Sequence, residues 1–424
     1  MFKFKPLVAA ILTVATAQAF AAEHSSEQRQ NGIDNIAEVT QSAGSSNTAT
    51  QLQSGWGNDA MVEQNSSFSS SVLQTQIANF HQAAVTQTVA LRSTSEQWQN
   101  GKDNEASISQ SGTWDSSADQ RQHGNANVAE TEQVATRGAD AMTEQLGNQN
   151  QANSYQALAN NSKSELYQDG NLNEASVSQS FSSNDRAMID QQGNENVAEV
   201  DQNWSAGSVT EVEQVGNLNT AYVSQTGTHH ETYTESVGDS NNLNVEQYGS
   251  HQNASVLQQG NENDAYVAQR GNGNTGNVDQ NGLGNEAVID QDGRDQVASV
   301  GQLGSYNNAT VDQLGNANEL SFNQSGTYNM LSAVQDGEGN RITGSSNNAN
   351  NDVDIVQDGD FNLATINQDG VNNMATLSQY GESHLATVTQ NGTGHEALVD
   401  QSGMGNNALI RQAGFNNMAI VTQN

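Results

Sequence analysis

Gln258-Gln259-Gly260-Asn261-Glu262-Asn263-Asp264-Ala265-Tyr266-Val267-Ala268-Gln269 decides how this chain folds. From Asn263 to Gln269 every second residue belongs to one set: Asn263, Ala265, Val267, Gln269. A period of two puts that set on one face of a β-strand. Gly260 and Asn263 bracket the preceding segment, and both residue types accept the backbone angles of a tight corner. A strand followed by a corner is half of something, and the sequence repeats it.

Taking the closing Gln as marker, the pattern recurs every 11 residues at Gln247, Gln258, Gln269, Gln280, Gln291, Gln302, Gln313, Gln324 and Gln335. Ser346 then stands in its place, followed by Gln357, Gln368, Gln379, Gln390, Gln401, Gln412 and Gln423. Upstream the step alternates between 11 and 12, as in Gln168, Gln179, Gln191, Gln202 and Gln214. Residues 30–214 therefore repeat with a period of 23, and residues 215–424 with a period of 22 made of two elevens. A short fixed period means one unit stacked on copies of itself.

The spacing predicts an all-β solenoid of roughly 17 coils, 22 or 23 residues each, with two parallel sheets face to face and a rod on the order of 80 Å long. Two residues before the marker stand Val256, Val267, Val278, Ile289, Val300, Val311 and Phe322, and two before those mostly alanines such as Ala254, Ala265 and Ala287. Large faces small across a thin interior. Ser255, Tyr266, Thr310 and Thr365 alternate outward. Each Gln and Asn falls above its counterpart one coil away, where side-chain amides can pair as ladders instead of being buried unpaired. Between Ala333 and Asn351, Ala333 and Gly344 replace the branched residue and Asn348 replaces Gly, so this coil is expected to be looser.

Lys3, Lys5, the apolar run Leu7 to Ala17 and Ala19-Phe20-Ala21 have the three regions of a secretory signal peptide, with cleavage expected after Ala21. The run is too short for a membrane span. Residues 22–29 form a short segment before the first marker, Gln30. The formal charge is −35, and loss of residues 1–21 removes two lysines and no acid. So acidic a chain is unsuited to nucleic acid or to anionic lipid. Cys is absent and the one proline, Pro6, precedes the repeats, as strands inside a ladder require. A polar, low-aromatic composition also suits disorder, but disorder does not hold a register over some 400 residues.

The pattern Gln-x-Gly-x-x-Asn-x-Ala-x-Val-x-Gln, in Gln258 to Gln269 and again in Gln168 to Gln179, resembles the curlin repeat of curli subunits. That resemblance implies a secreted bacterial subunit that polymerises into extracellular amyloid fibres for biofilm matrix and surface adhesion. It implies the chain itself as partner, together with a curli-type nucleator and secretion components; whether the chain is major subunit or nucleator stays open. The residues reach part of this alone, because the last repeat ends at Gln423-Asn424 and open strand edges template the next chain.

No catalytic constellation, cofactor or metal is expected: the acids follow repeat positions, and the corner residues His384 and His395 fall on opposite edges. Asp290 and Asp312, and Asp336 and Asp358, are 22 apart, so each pair stacks like charges that would slow assembly until neutralised by protons or divalent cations. Tyr222 with Tyr266 and Tyr306 with Tyr328 lie at multiples of 22, the spacing of an aromatic ladder. The competing readings are a β-helical polysaccharide lyase, which needs groove-forming insertions absent from this period, and a monomeric solenoid binding ice or polysaccharide. An ice-binding face wants uniform Thr, whereas outward pairs here run from Thr387 and Thr389 to Glu199 and Asp201.

Overall fold

The computed structural model describes residues 23–424, so the signal peptide expected at 1–21 lies outside the described residues. Thirty-six strands follow one another, from β1 (Ser25–Ile33) and β2 (Ile36–Ser45) to β35 (Asn407–Phe415) and β36 (Met418–Gln423). Each strand pairs in parallel with the second one along. Strand β21 (Asn253–Asn261) lies between β19 (Glu231–Asp239) and β23 (Thr275–Leu283), and β22 (Asp264–Asn272) between β20 (Asn242–Ser250) and β24 (Glu286–Arg294). Odd strands build one sheet and even strands the other, 18 in each, so the rod has 18 coils. This is the expected two-sheet solenoid, one coil longer than estimated.

The alternation read from the sequence appears strand by strand. In β24, Ala287, Ile289 and Gln291 are buried while their neighbours are half-buried or exposed. The interior is thin, and each inward side chain packs between the coils before and after it. Two apolar clusters form: a short one from Ala49 to Ala118, and a long one from Ala152 to Ile410. Between them the interior turns polar, with Thr131, Thr143, Ser154 and Ser164 all buried and the Ser154 hydroxyl donating to Ser164 Oγ at 2.9 Å.

The two periods have one physical cause. The corners from odd to even strands form the first edge of the rod, those from even to odd the second. At the second edge of the early coils an extra residue leaves the ladder in the left-handed region: Ser66, Val89, Gly112, Ala135, Leu158, Phe181 and Trp204 all have φ between 52° and 65°. A single bridging residue follows, stacked as Phe68, Leu91, Trp114, Arg137, Asn160, Ser183 and Ala206. The last extra residue is shed between Gln202 and Ser205, where β16 (Val197–Ala206) shifts register against β18 (Thr220–Thr228). Beyond it a single glycine such as Gly227 (φ 128°) makes the turn and the period falls to 22.

The expectation of a looser coil around Ser346 is corrected. Strand β29 (Arg341–Ala349) keeps nine paired residues with β27 (Glu319–Thr327) on one side and nine with β31 (Leu363–Val371) on the other. The small residues are offset by a large one: a Cβ on Gly344 would lie 2.7 Å from Phe322 Cε2, so the Phe322 ring already fills the space. Asn348 accepts the turn that glycine makes elsewhere, with φ 76°.

Val89 is a β-branched residue in the left-handed region, a conformation that costs an L-residue about 1–2 kcal/mol and that Asn tolerates. Val89→Asn is expected to slow amide exchange across residues 87–93 by about fivefold, roughly 1 kcal/mol. Unchanged or faster exchange there would show that the corner is unstrained.

Candidate functional site

The repeated residues converge on the interior ladders. Gln269 Nε2 carries two hydrogens: one is donated along the axis to Gln291 Oε1 at 2.9 Å, the other across the interior to the Asn253 carbonyl at 3.0 Å. Gln291 repeats this toward Gln313 (2.8 Å) and Thr275 (3.1 Å). Each buried amide thus ties coil to coil and sheet to sheet, which is how a group costly to bury is satisfied. In the even sheet the chain of amides runs on through Gln313, Gln335, Gln357, Gln379, Gln401 and Gln423 at 2.7–2.9 Å.

The odd-sheet ladder is interrupted. It joins Gln258, Gln280, Gln302 and Gln324 at 2.8–3.0 Å, and Gln368, Gln390 and Gln412 at 2.9 Å. Ser346 stands between the two runs, its hydroxyl donating forward to Gln368 Oε1, and Ser236 does the same toward Gln258. At both heights the even sheet carries an intact amide pair.

The corners have their own ladder. Asn263 Oδ1 accepts the backbone N–H of Asn285, and Asn263 Nδ2 donates to the Gly282 carbonyl in the next coil. Gly260 (φ 112°) is required here, because a Cβ would collide with the Gly282 carbonyl oxygen. Ala265 and Val267 fill the interior between these ladders.

A second amide ladder escaped the sequence reading. In the first five odd strands Gln28, Gln51, Gln74, Gln97 and Gln120 occupy the position held by Val or Ile later, and successive amides bond at 2.8–2.9 Å. Its signal is the Gln-x-Gln pair, as in Gln51-Leu52-Gln53 and Gln74-Thr75-Gln76.

Four corners carry histidine where Asn stands elsewhere. His81 Nε2 lies 2.8 Å from the Ile77 carbonyl, and its Nδ1 accepts the N–H of Asn104 at 3.3 Å. That pattern fits only a neutral ring protonated at Nε2. Burial lowers the His81 and His230 imidazoles below the ordinary 6.5, so the folded chain takes up this proton less readily than the unfolded one. Their contribution to stability is intact above about 6.5 and declines as pH falls below it. His384 and His395 lie in consecutive corners, on opposite edges.

The stacked acids lie on the outward faces. Asp290 is the register partner of Asp312, and Asp336 of Asp358. Arg270 reaches Asp290 at 3.2 Å. The Asp312 carboxyl is pushed up by burial first and then by Asp290, Asp336 and Asp292. Tyr306 and Tyr328 stack with centroids 5.2 Å apart, whereas Asn244 separates Tyr222 from Tyr266.

At the outer coils the inward positions open. Every residue of β1 is exposed, and in β36 the inward Ala419, Val421 and Gln423 are only half-buried, beside the outward Met418 and Ile420 at 64% and 60% exposure and the corner residue Phe415 at 78%. Every marker amide pair donates toward higher residue numbers, so the first coil presents the Gln30 and Gln41 oxygens outward; in the last coil Gln423 keeps one Nε2 hydrogen, while Gln412 gives both of its own to the Glu396 and Asn417 carbonyls.

Gln291→Ala is expected to strand the Gln269 amide hydrogen and the Gln313 oxygen, costing about 1–3 kcal/mol for each group left buried and unpaired. Unfolding or exchange of the neighbouring coils measures it, with the outward Thr310→Ala as control. Equal effects of the two would mean that the ladder contributes little.

The family model described as the Curlin associated repeat matches residues 238–271, 271–304, 349–381, 381–414 and 397–424. All five lie in the half with 22-residue coils, beyond the widened second edge, and they skip the stretch containing Phe322, Gly344 and Ser346. No curated protein matches the chain. Coils closed by glycine and asparagine corners, an interior strung with glutamine ladders and five matches to one repeat family show that this chain carries curlin repeats over residues 238–304 and 349–424.

Proposed function

We propose that the protein is a secreted structural subunit which stacks end to end into curli-like amyloid fibres at the bacterial cell surface, serving biofilm matrix and adhesion. Its partners are then copies of itself, with a nucleator and secretion components of the curli type. The work is done by ladders and coil ends and not by a catalytic centre.

The observation that carries this reading is the match between the two outer coils. Both have markers 11 residues apart, Gln30 with Gln41 and Gln412 with Gln423. Laid in the register that every internal coil keeps, Gln412 and Gln423 of one copy meet Gln30 and Gln41 of the next. Val421 meets Val39, Ala419 meets Ala37, Met418 meets Ile36 and Phe415 meets Ile33. Met418 and Phe415 find apolar partners and the marker ladders continue, while the Gln28 ladder ends against Ile410 and Ile420 meets Glu38. Such a head-to-tail contact does not close on itself, so it propagates. Because the amides point one way, the fibre is polar.

A second reading, a monomeric extracellular module for ice or polysaccharide, draws on one face of the odd sheet. There Ser299, Ser321, Thr343, Thr365 and Thr387 form an outward column, with the Thr343 and Thr365 hydroxyls 3.3 Å apart.

Purified mature chain is expected to form thioflavin-positive fibres with a reflection at about 4.7–4.8 Å along the axis. Val39→Asp or Val421→Asp should cap opposite ends and slow elongation. A persistent monomer that binds ice or a glycan would support the second reading instead.

The acids tune the rate in this picture. At pH 7.5, Asp290→Asn with Asp312→Asn is expected to speed elongation several-fold, and calcium to do the same for the unaltered chain but not the variant. Equal rates for both chains, with and without calcium, would leave these carboxylates no role in assembly.

A further inference from the structure

In most coils the corner acceptor is an Asn Oδ1 or a Ser Oγ, which hold no charge at any ordinary pH. Both corners of the coil before last are different. His384 precedes β33 (Leu385–Thr393) on the second edge, and His395 precedes β34 (Glu396–Met404) on the first. Each is 1% exposed. His384 Nε2 is 3.1 Å from the Tyr380 carbonyl, and its Nδ1 accepts the N–H of Asn406 at 3.2 Å. His395 Nε2 is 3.1 Å from the Asn391 carbonyl, and its Nδ1 accepts the N–H of Asn417 at 3.3 Å. Asn406 and Asn417 immediately precede β35 and β36. Beside its strand pairing and the Gln390–Gln412 and Gln401–Gln423 amides, the last coil is therefore tied at both corners to imidazole nitrogens.

A carbonyl already takes the Nε2 hydrogen, so an added proton must go to Nδ1. There it faces a backbone N–H, donor against donor. The hydrogen bond is lost and a cation is created inside the corner, two costs that Asn cannot incur. Around His384 the charged groups are Asp360 in the preceding corner and Glu382 in its own; the last coil contributes uncharged Met404 and Gly405. Around His395 they are Asp369 at the end of β31, Glu396 in its own strand, and Arg411 on β35. None of these carboxylates can accept the new Nδ1 proton while the backbone of the last coil occupies that position.

We propose that protonation of His384 and His395 unseats the last coil, making the C-terminal docking end sensitive to mild acid. The unseating stands on the corner geometry alone; the effect on growth rests on the stacking reading above. Imidazole is the side chain whose charge ordinarily responds to mild acid.

The test compares the mature chain with the double variant His384→Asn, His395→Asn, which restores the usual corner residue and so preserves folding. Acidic side chains respond identically in the two proteins and cancel. Nitrogen-15 shifts at pH 7.5 are expected to show both rings protonated at Nε2. Freshly prepared monomer should show equal exchange of residues 403–424 in both proteins at pH 7.5. At pH 5 that exchange should be at least about tenfold faster in the unaltered chain, with residues 285–320 alike in both. A ring protonated at Nδ1 at pH 7.5, or equal exchange at pH 5, overturns the proposal. Seeded elongation at pH 5 should stall for the unaltered chain and continue for the variant. Elongation that ignores an unseated last coil would overturn its role as docking end while leaving the local switch in place.

Discussion

A primary amide buried in a thin interior has two hydrogens and an oxygen to satisfy, and everything else in this rod follows from how the marker glutamines do so. One hydrogen runs along the axis to the same atom set in the next coil, the other crosses to the facing sheet. The arrangement works only if an identical amide stands one strand spacing away. It therefore demands parallel strands, an unvarying register and a repeat that never loses count. Where serine breaks the chain at Ser236 and Ser346, the opposite sheet carries an unbroken amide at the same height, so every coil stays pinned on at least one side.

The corners obey a second constraint, that backbone must turn sharply without leaving its polar groups unpaired. Glycine supplies the angles and asparagine supplies both a donor and an acceptor to the coil beyond. The early coils solve the second edge differently, with one more residue held left-handed and bulky side chains such as Phe181 and Trp204 stacked outside at 4.1 Å. That variation loses the glycine of the pattern, which accounts for family matches confined to the later half.

Outward faces carry none of these demands, and among the described residues acids, tyrosines, threonines and the few cations alternate along them. Whatever specificity the rod has must then reside in its ends and in the slow drift of its faces. Histidine at the corners adds a property the rest of the ladder lacks, since an acceptor that can become a donor makes one coil's seating conditional on pH. His81 places the same chemistry within the rod, its Nδ1 accepting the Asn104 N–H with coils on both sides, whereas the ring of the buried His230 makes only the Nε2 contact to the Thr226 carbonyl.

Much of this was legible beforehand. Alternation by two in Asn263 to Gln269, and its return every 11 residues, is enough to define strand, corner, inward face and coil, because those depend on neighbours along the chain. The same counting placed Asp290 beside Asp312. It said that one corner in the early coils was longer, but not which residue left the ladder, since that depends on where Val89 or Trp204 can stack. It took Gly344 for a weak point because the ring that fills its space, Phe322, lies one coil away. The Gln-x-Gln pairs stood in the sequence but went unused, and His384 counted as a corner residue in the place of Asn. Sequence by itself determined the repeat, the two sheets and the amide ladders, all consequences of local period. Tertiary structure alone decided which edge widens, what fills the Gly344 gap and which nitrogen holds the last coil, because each is set by an atom 22 or 23 residues away.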